Sequence, residues 1–258
     1  MGEEEISLAI YKKLKNNKVK EISLFVSNRL KYEKTEKIKL TKTKVLNTIG
    51  VNLGKLLKDD PLRYEKLEKL FKESLIEEKE ISFGLKTGRE IRRIVILALS
   101  YLSNFDYSGV MDFVTTILSY LSDWETVDTL AIFTVSKLLI KNERETLNLI
   151  DEWIKSENKW IRRLAVATIP SYIRERREKI GLCLDLLNRV MEDKDREVMK
   201  AVAWALREIS KKDSDENVVK FLFRWAERKD KNIRWIIREG MKKLSLCDQV
   251  LIQERMND

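Results

Sequence analysis

Trp124 and Asp128 stand one helical turn apart in the segment DWETVDTLA, and Trp204 and Arg207 share a turn in AWALRE. An ionised aspartate can stabilise a developing positive charge and can orient or deprotonate a water. An indole face attracts a cation with about 0.5–2 kcal/mol. Histidine is absent from the chain, which excludes Ser-His-Asp and Cys-His chemistry and removes the commonest zinc ligand. Any catalysis must therefore use carboxylate, lysine, tyrosine or bound solvent. The two cysteines, Cys183 and Cys247, match no metal or redox spacing and read as reduced thiols of an intracellular protein. No metal and no cofactor is expected.

The elements that must position these residues follow from a repeat. Blocks beginning at Gly88, Asp123, Asn158, Asp195 and Asp230 lie 35, 35, 37 and 35 residues apart, and four of the five open on Asp or Asn, which suits a helix N-cap. Three apolar columns recur inside them at helical spacing: Ile91, Thr126, Ile161, Val198 and Ile233; Ile94, Thr129, Leu164, Ala201 and Ile236; Val95, Leu130, Ala165, Val202 and Ile237. Such columns predict the packed face of a helix. A second amphipathic stretch, such as ETLNLIDEWIK or ENVVKFLFRWAE, lies between successive blocks. Two helices per repeat predict an all-α, HEAT-like solenoid. Trp153 and Trp225, on the intervening helices, are expected in the core.

Residues 1–87 also read as helices, near Glu3–Lys15, Val19–Tyr32, Leu40–Lys58 and Pro61–Glu78, in a poorer register. Asp59-Asp60-Pro61 is a helix break, and Phe83-Gly84 to Thr87-Gly88 is the clearest loop. Neither is long enough for a linker. The expectation is one domain over 1–258, with atypical N-terminal helices in 1–87 and regular repeats over 88–245.

Two columns stay polar once the apolar ones are assigned to the core. The first reads Arg89, Trp124, Lys159, Arg196, Lys231, and the second, four residues on, reads Arg93, Asp128, Arg163, Lys200, Trp235. Residues four apart share a helix face, and stacked helices lie about 10 Å apart, so the ten positions tile one surface. Acids make up 42 of the 93 charged residues of the chain, yet Asp128 is the single acid among eight charged residues here. That bias favours a phosphate-binding track over a merely solvated face, and Arg234, Arg238 and Lys242 extend it. Asp128 is the exception that asks for a role, either as a reagent or as an ion-pair partner of Arg93 or Arg163.

The remaining composition sets bounds. Eight glycines and two prolines in 258 residues are too little punctuation for many short strands. A formal charge of +9 favours a polyanionic partner. No apolar run approaches a membrane span, and the N-terminus lacks a signal-peptide pattern, so a cytoplasmic protein with no membrane partner is expected.

At WETVD (Trp124–Asp128), NKWIRRLA (Asn158–Ala165) and AWALRE (Ala203–Glu208) the chain resembles the DNA alkylation repair proteins of the AlkD type, the HEAT-like DNA glycosylases. The spacings of 39 residues from Trp124 to Arg163 and 41 from Arg163 to Trp204 suit that family, and the likeness runs from about Gly88 to Ser245. It implies a monofunctional enzyme that hydrolyses the N-glycosidic bond of cationic alkylated purines, such as N3-methyladenine and N7-methylguanine, in base excision repair. Such a family need not bury the flipped base in a pocket, unlike most glycosylases. It implies Asp128 as the catalytic aspartate, Trp124 and Trp204 as aromatic walls, Arg163 on the DNA backbone and Arg207 as a further active-site arginine. Arg93, Lys159, Lys200, Arg234 and Arg238 are expected to hold duplex DNA, with the protein acting as a monomer. The segment NRLKYEKTEKIKLTKTK departs from the family by lacking a glycine and proline turn. Two other readings are a non-catalytic protein that binds damaged or branched DNA, and a HEAT adaptor for an acidic protein.

Overall fold

The structure is a computed structural model that describes residues 2–32, 42–80, 84–213 and 216–257. Every regular element among the described residues is helical, and the fold is all-α with HEAT-like helical repeats. Most of the N-terminal segment that departs from the family pattern lies outside the described residues. The chain forms two compact units, Met1–Leu121 and Ser122–Asp258. No helix among the described residues is long and apolar enough to cross a membrane.

The first unit contains α1 (Glu3–Lys15), α2 (Lys20–Tyr32), α3 (Lys42–Leu57), α4 (Arg63–Glu80), α5 (Gly84–Leu102) and α6 (Tyr107–Ile117). Helix α5 is its centre and packs chiefly on α3 and α4. Two glycines of α3 permit the first of these contacts. A Cβ on Gly50 would lie 2.5 Å from the Leu97 Cβ and 2.7 Å from the Ile94 carbonyl oxygen, and one on Gly54 would lie 2.8 Å from the Ala98 oxygen. Where a loop is expected, Gly84 to Gly88 instead form the first turns of α5. A helical glycine costs about 1 kcal/mol relative to alanine, and α5 recovers more than that by burying Ile91, Ile94, Val95, Ala98 and Leu99 completely.

The second unit contains α7 (Trp124–Leu130), a π turn (Ala131–Val135), α8 (Ser136–Lys141), α9 (Glu143–Ile154), α10 (Lys159–Glu175), α11 (Ile180–Asn188), α12 (Arg196–Ser210), α13 (Asn217–Ala226), α14 (Lys231–Gly240) and α15 (Leu246–Asn257). Helices α7, α10, α12 and α14 pack in that order, each on the next, while α9, α11 and α13 form a second layer. The caps fix where each inner helix begins. The side chains of Asp123, Asn158, Asp195 and Asp230 accept hydrogen bonds from the backbone N–H of Thr126, Trp160, Glu197 and both Asn232 and Ile233. The cap residues of the four blocks are therefore the start signals of four stacked helices.

The predicted apolar columns are buried throughout this unit except at Ile161, which is half-buried. Trp153 is buried as expected, but Trp225 is not in the core. It is half-buried, and its indole N–H donates to Asn188 Oδ1 at 3.1 Å. The polar edge of an indole needs a partner, and here an amide at the end of α11 supplies it. Pro170 lies inside α10, where it removes one backbone donor.

Candidate active site on the inner helices

Asp128 is the fifth residue of the short helix α7, between its cap and the π turn that begins three residues later. Such turns carry an extra residue and re-aim the side chains around them. The Asp123 side chain caps Thr126 N–H at 3.0 Å and also accepts from the Thr126 hydroxyl at 2.7 Å, so the first turn, which carries Trp124 and leads to Asp128, is pinned twice. Trp124, at the first helical position, is 51% exposed. An indole left this open on a fixed turn is not core packing.

The Asp128 carboxylate is grasped by Arg163 from α10. Nε donates to Oδ1 at 2.9 Å and Nη2 to Oδ2 at 2.7 Å, the parallel two-bond geometry that makes arginine and carboxylate pairs strong. The third guanidinium nitrogen, Nη1, points the other way and donates to the backbone carbonyl of Glu197 at 2.5 Å, with the Glu197 carboxylate at 3.3 Å. Glu197 in turn accepts from Lys200 Nζ at 2.6 Å. Four charges thus alternate across α7, α10 and α12 in the order Asp128, Arg163, Glu197, Lys200.

Arg163 was expected on a DNA phosphate, and its geometry gives it a different place. The residue is 5% exposed, and all three of its nitrogens are bound to protein oxygens. A phosphate contact would require breaking a bidentate pair inside the protein. Of the two ion-pair partners named for Asp128 on sequence grounds, Arg163 pairs with it within the second unit. Arg93 is in the first unit, where its Nε donates to Asn47 Oδ1 at 2.7 Å.

Burial is the largest influence on the Asp128 carboxyl and pushes it up from the ordinary aspartate range. The bonds and charge of Arg163 pull it down, and the carboxylates of Glu197 and Asp123 push it up again, for a net rise. The side chain is nevertheless 15% exposed, so it is not sealed from solvent. Desolvation, like charges and a fixed cation around one acid are features that catalytic sites share with structural ion-pair networks.

The chain belongs to the DNA alkylation repair enzyme family. It matches that family over residues 54–244, a span that includes all of the second unit's inner helices. Among solved structures, this repair-family chain is similar to the smu.31 protein from Streptococcus mutans UA159, with 21% identity, 78% of this chain and 100% of that chain covered and a TM-score of 0.52. It is also similar to AlkD2 from Streptococcus mutans, with 20% identity, 76% and 98% coverage and a TM-score of 0.50. At these identities the likeness is one of fold. Comparison with curated protein sequences gave no match.

The remaining site candidates of this repair-family protein fall into two groups. Lys200, Arg196, Lys231 and Arg238 are exposed, as a charge that meets a partner must be. Arg196 lies 3.5 Å above the Trp235 ring, which is half-buried, and this stack holds the guanidinium at the surface. Lys159 faces Asp195 at 3.5 Å and the Trp160 ring at 5.3 Å. The others are partly engaged within the fold. Arg207 Nη1 donates to the Glu239 carbonyl at 3.0 Å, and Arg234 Nη2 donates to the Met256 carbonyl at 2.6 Å. Trp204 is half-buried on α12, one turn beyond Lys200.

Glu197 is the residue that inspection of the sequence misses. It sits in the first turn of α12, where an acid is already explained by the helix dipole, and nothing in its spacing points to Arg163. The signal available is its separation from Arg163 by 34 residues, close to one repeat and one turn before Lys200, the residue that aligns with Arg163.

Proposed function

We propose that the protein is a monofunctional DNA glycosylase that releases cationic alkylated purines, such as N3-methyladenine and N7-methylguanine, from duplex DNA in base excision repair. The observation that carries this reading is the Asp128 carboxylate, held in one orientation by two bonds from Arg163, on a side chain that keeps 15% exposure, and one turn from the exposed Trp124. A purine carrying a fixed positive charge needs no protonation to leave. The C1′–N bond breaks with its electron pair going to the base, which neutralises the base, and the sugar acquires oxocarbenium character. The Asp128 anion stabilises that cation and orients the water whose oxygen bonds to C1′, and the water's proton passes to the carboxylate or to solvent. Trp124 and Trp204 offer π faces to the cationic base and sugar. Lys159, Lys200, Arg196, Arg207, Arg234 and Arg238 of the second unit hold phosphates and set the register of the duplex, and Arg93 of the first unit is proposed by itself as a further phosphate contact. Such an enzyme works as a monomer on DNA inside the cell and requires no cofactor.

The test is release of 7-methylguanine from methylated duplex DNA, with and without Asp128→Asn. The substitution keeps shape and much of the hydrogen bonding but removes the anion, so release should be abolished while DNA binding persists. Wild-type protein that binds the same DNA tightly and releases no alkylated base would sink the enzyme reading. A second reading then takes its place, supported by the fact that both oxygens of Asp128 are engaged by Arg163: a non-catalytic protein that binds damaged or branched DNA, in which the Asp128–Arg163 pair only joins α7 to α10.

A further inference from the structure

Two carboxylates share one guanidinium at this site. If Asp128 and Arg163 stood alone, their charges would cancel, and a neutralised carboxylate has little left to offer a sugar cation. The third nitrogen of Arg163 changes that balance, because it faces the Glu197 carbonyl at 2.5 Å and the Glu197 carboxylate at 3.3 Å. The Arg163 side chain is 6% exposed and that of Glu197 21%, whereas Lys200, the other cation of this four-charge row, is 50% exposed and screened by water. The buried part of the cluster therefore carries two negative charges and one positive.

We propose that Glu197 is a positioning residue of the Asp128 site, which anchors Arg163 from behind and offsets its charge, so that the cluster stays net negative although Arg163 holds both oxygens of Asp128. The inference rests on the glycosylase reading for its catalytic consequence, but the electrostatic link between Glu197 and Asp128 exists in the free protein. The charged groups facing Asp128 from the packed elements are Arg163 on α10, Glu197 on α12 and Asp123 at the cap of its own helix. Of these Glu197 alone can be neutralised without removing a cap or the bidentate partner. Its backbone carbonyl, the shorter of its two contacts to Arg163, is untouched by a side-chain change. The anchor stays while the charge goes.

The experiment is Glu197→Gln, read in two ways. In free protein, carbon-detected NMR titration of the Asp128 carboxyl should show protonation moving to lower pH in the variant, because a like charge that opposes ionisation has been removed. In single-turnover release of 7-methylguanine at neutral pH, the rate should fall on the order of tenfold, since a lone cation now cancels the Asp128 anion. The acid limb of the rate profile should move to lower pH, and DNA affinity should hold or rise. Glu197→Asp, which keeps the charge, should recover part of the rate. A merely structural role would weaken binding and rate together and leave the titration in place. An Asp128 titration identical in wild type and variant overturns the proposal, as does a variant that releases base at the wild-type rate. If wild-type protein releases no base, the glycosylase reading fails by itself, and the titration still decides whether Glu197 acts on Asp128.

Discussion

Replacing Arg163 by methionine removes the cation on which the buried end of Asp128 depends. In the native protein the Arg163 side chain is 6% exposed and that of Asp128 15%, so water can replace the lost partner at one edge only. Two unit charges about 4 Å apart at an effective dielectric near 20 interact by about 4 kcal/mol, and breaking buried pairs typically costs about 3–5 kcal/mol. Asp128 has one escape, which is to bind a proton. Its carboxyl already titrates above the ordinary aspartate range in the native protein because of burial, and without Arg163 it must titrate higher still. A group whose folded pKa exceeds its unfolded pKa binds more protons when folded, so its contribution is fully present below the unfolded value and is lost as pH rises through the folded one. Urea denaturation should therefore show Arg163→Met less stable than wild type by about 3–4 kcal/mol near pH 8, with a smaller deficit near pH 5. Adding Asp128→Asn should restore much of the loss at pH 8, since the stranded charge is gone. A deficit below about 1 kcal/mol at pH 8, or a double variant no more stable than Arg163→Met alone, would refute the reasoning that the pair is mutually dependent.

Duplex binding should weaken steeply as salt rises, because several lysines and arginines on the inner helices displace counterions from phosphates; Lys200→Ala should reduce the slope of log affinity against log salt by about one phosphate contact, and a salt-independent affinity would count against a DNA surface. Trp124→Ala and Trp204→Ala should each lower the rate of 7-methylguanine release by about 2- to 30-fold, the equivalent of one cation–π contact of about 0.5–2 kcal/mol, with Trp124→Ala leaving stability unchanged because that ring is 51% exposed; a thermal midpoint that drops with Trp124→Ala would show it packs rather than binds. Gly50→Ala should destabilise the first unit by about 1–3 kcal/mol despite alanine's better helix propensity, because the new Cβ would meet Leu97 and Ile94 of α5 within 3 Å; an unchanged denaturation midpoint would contradict that close packing.

The start of each inner helix in the second unit was legible because it is written in local chemistry. An Asp or Asn that accepts from the backbone two or three residues on does so whatever the rest of the chain is doing, so Asp123, Asn158, Asp195 and Asp230 mark their helices by type and spacing alone. The apolar columns follow for the same reason, as helical periodicity is a property of one segment. The stretch from Gly84 to Gly88 misleads because its helical state is decided elsewhere. Two glycines and a threonine read as a loop, and only the faces that α3 and α4 present to α5 make the helix the lower state. Trp225 misleads in the opposite direction: its position at helical spacing reads as core, while the Asn188 side chain that draws its N–H outward is 37 residues away.

The candidate site divides along the same line. That Asp128 breaks the charge pattern of its surface can be read from residue types, since a column is a count over positions. Whether Arg163 faces DNA or Asp128 cannot, because both roles ask for the same residue at the same place and differ only in which way a flexible side chain is turned. The decision is made by burial. Arg163 occupies the inner of the two sites because α7 and α12 each present oxygens to α10 at that depth, a carboxylate from one and a carbonyl from the other, and the planar fork of a guanidinium directs donors to both at once, which the compact ammonium of lysine does not. Lys200, four residues along α12 from its neighbouring cap-turn, meets no such pair of oxygens and stays at the surface. A repeat protein of this kind thus presents chemically similar cations in successive rows and sorts them by depth. The outer ones stay exposed, where the proposed function asks for phosphate contacts, and the inner one fixes the acid that the same proposal assigns to the sugar.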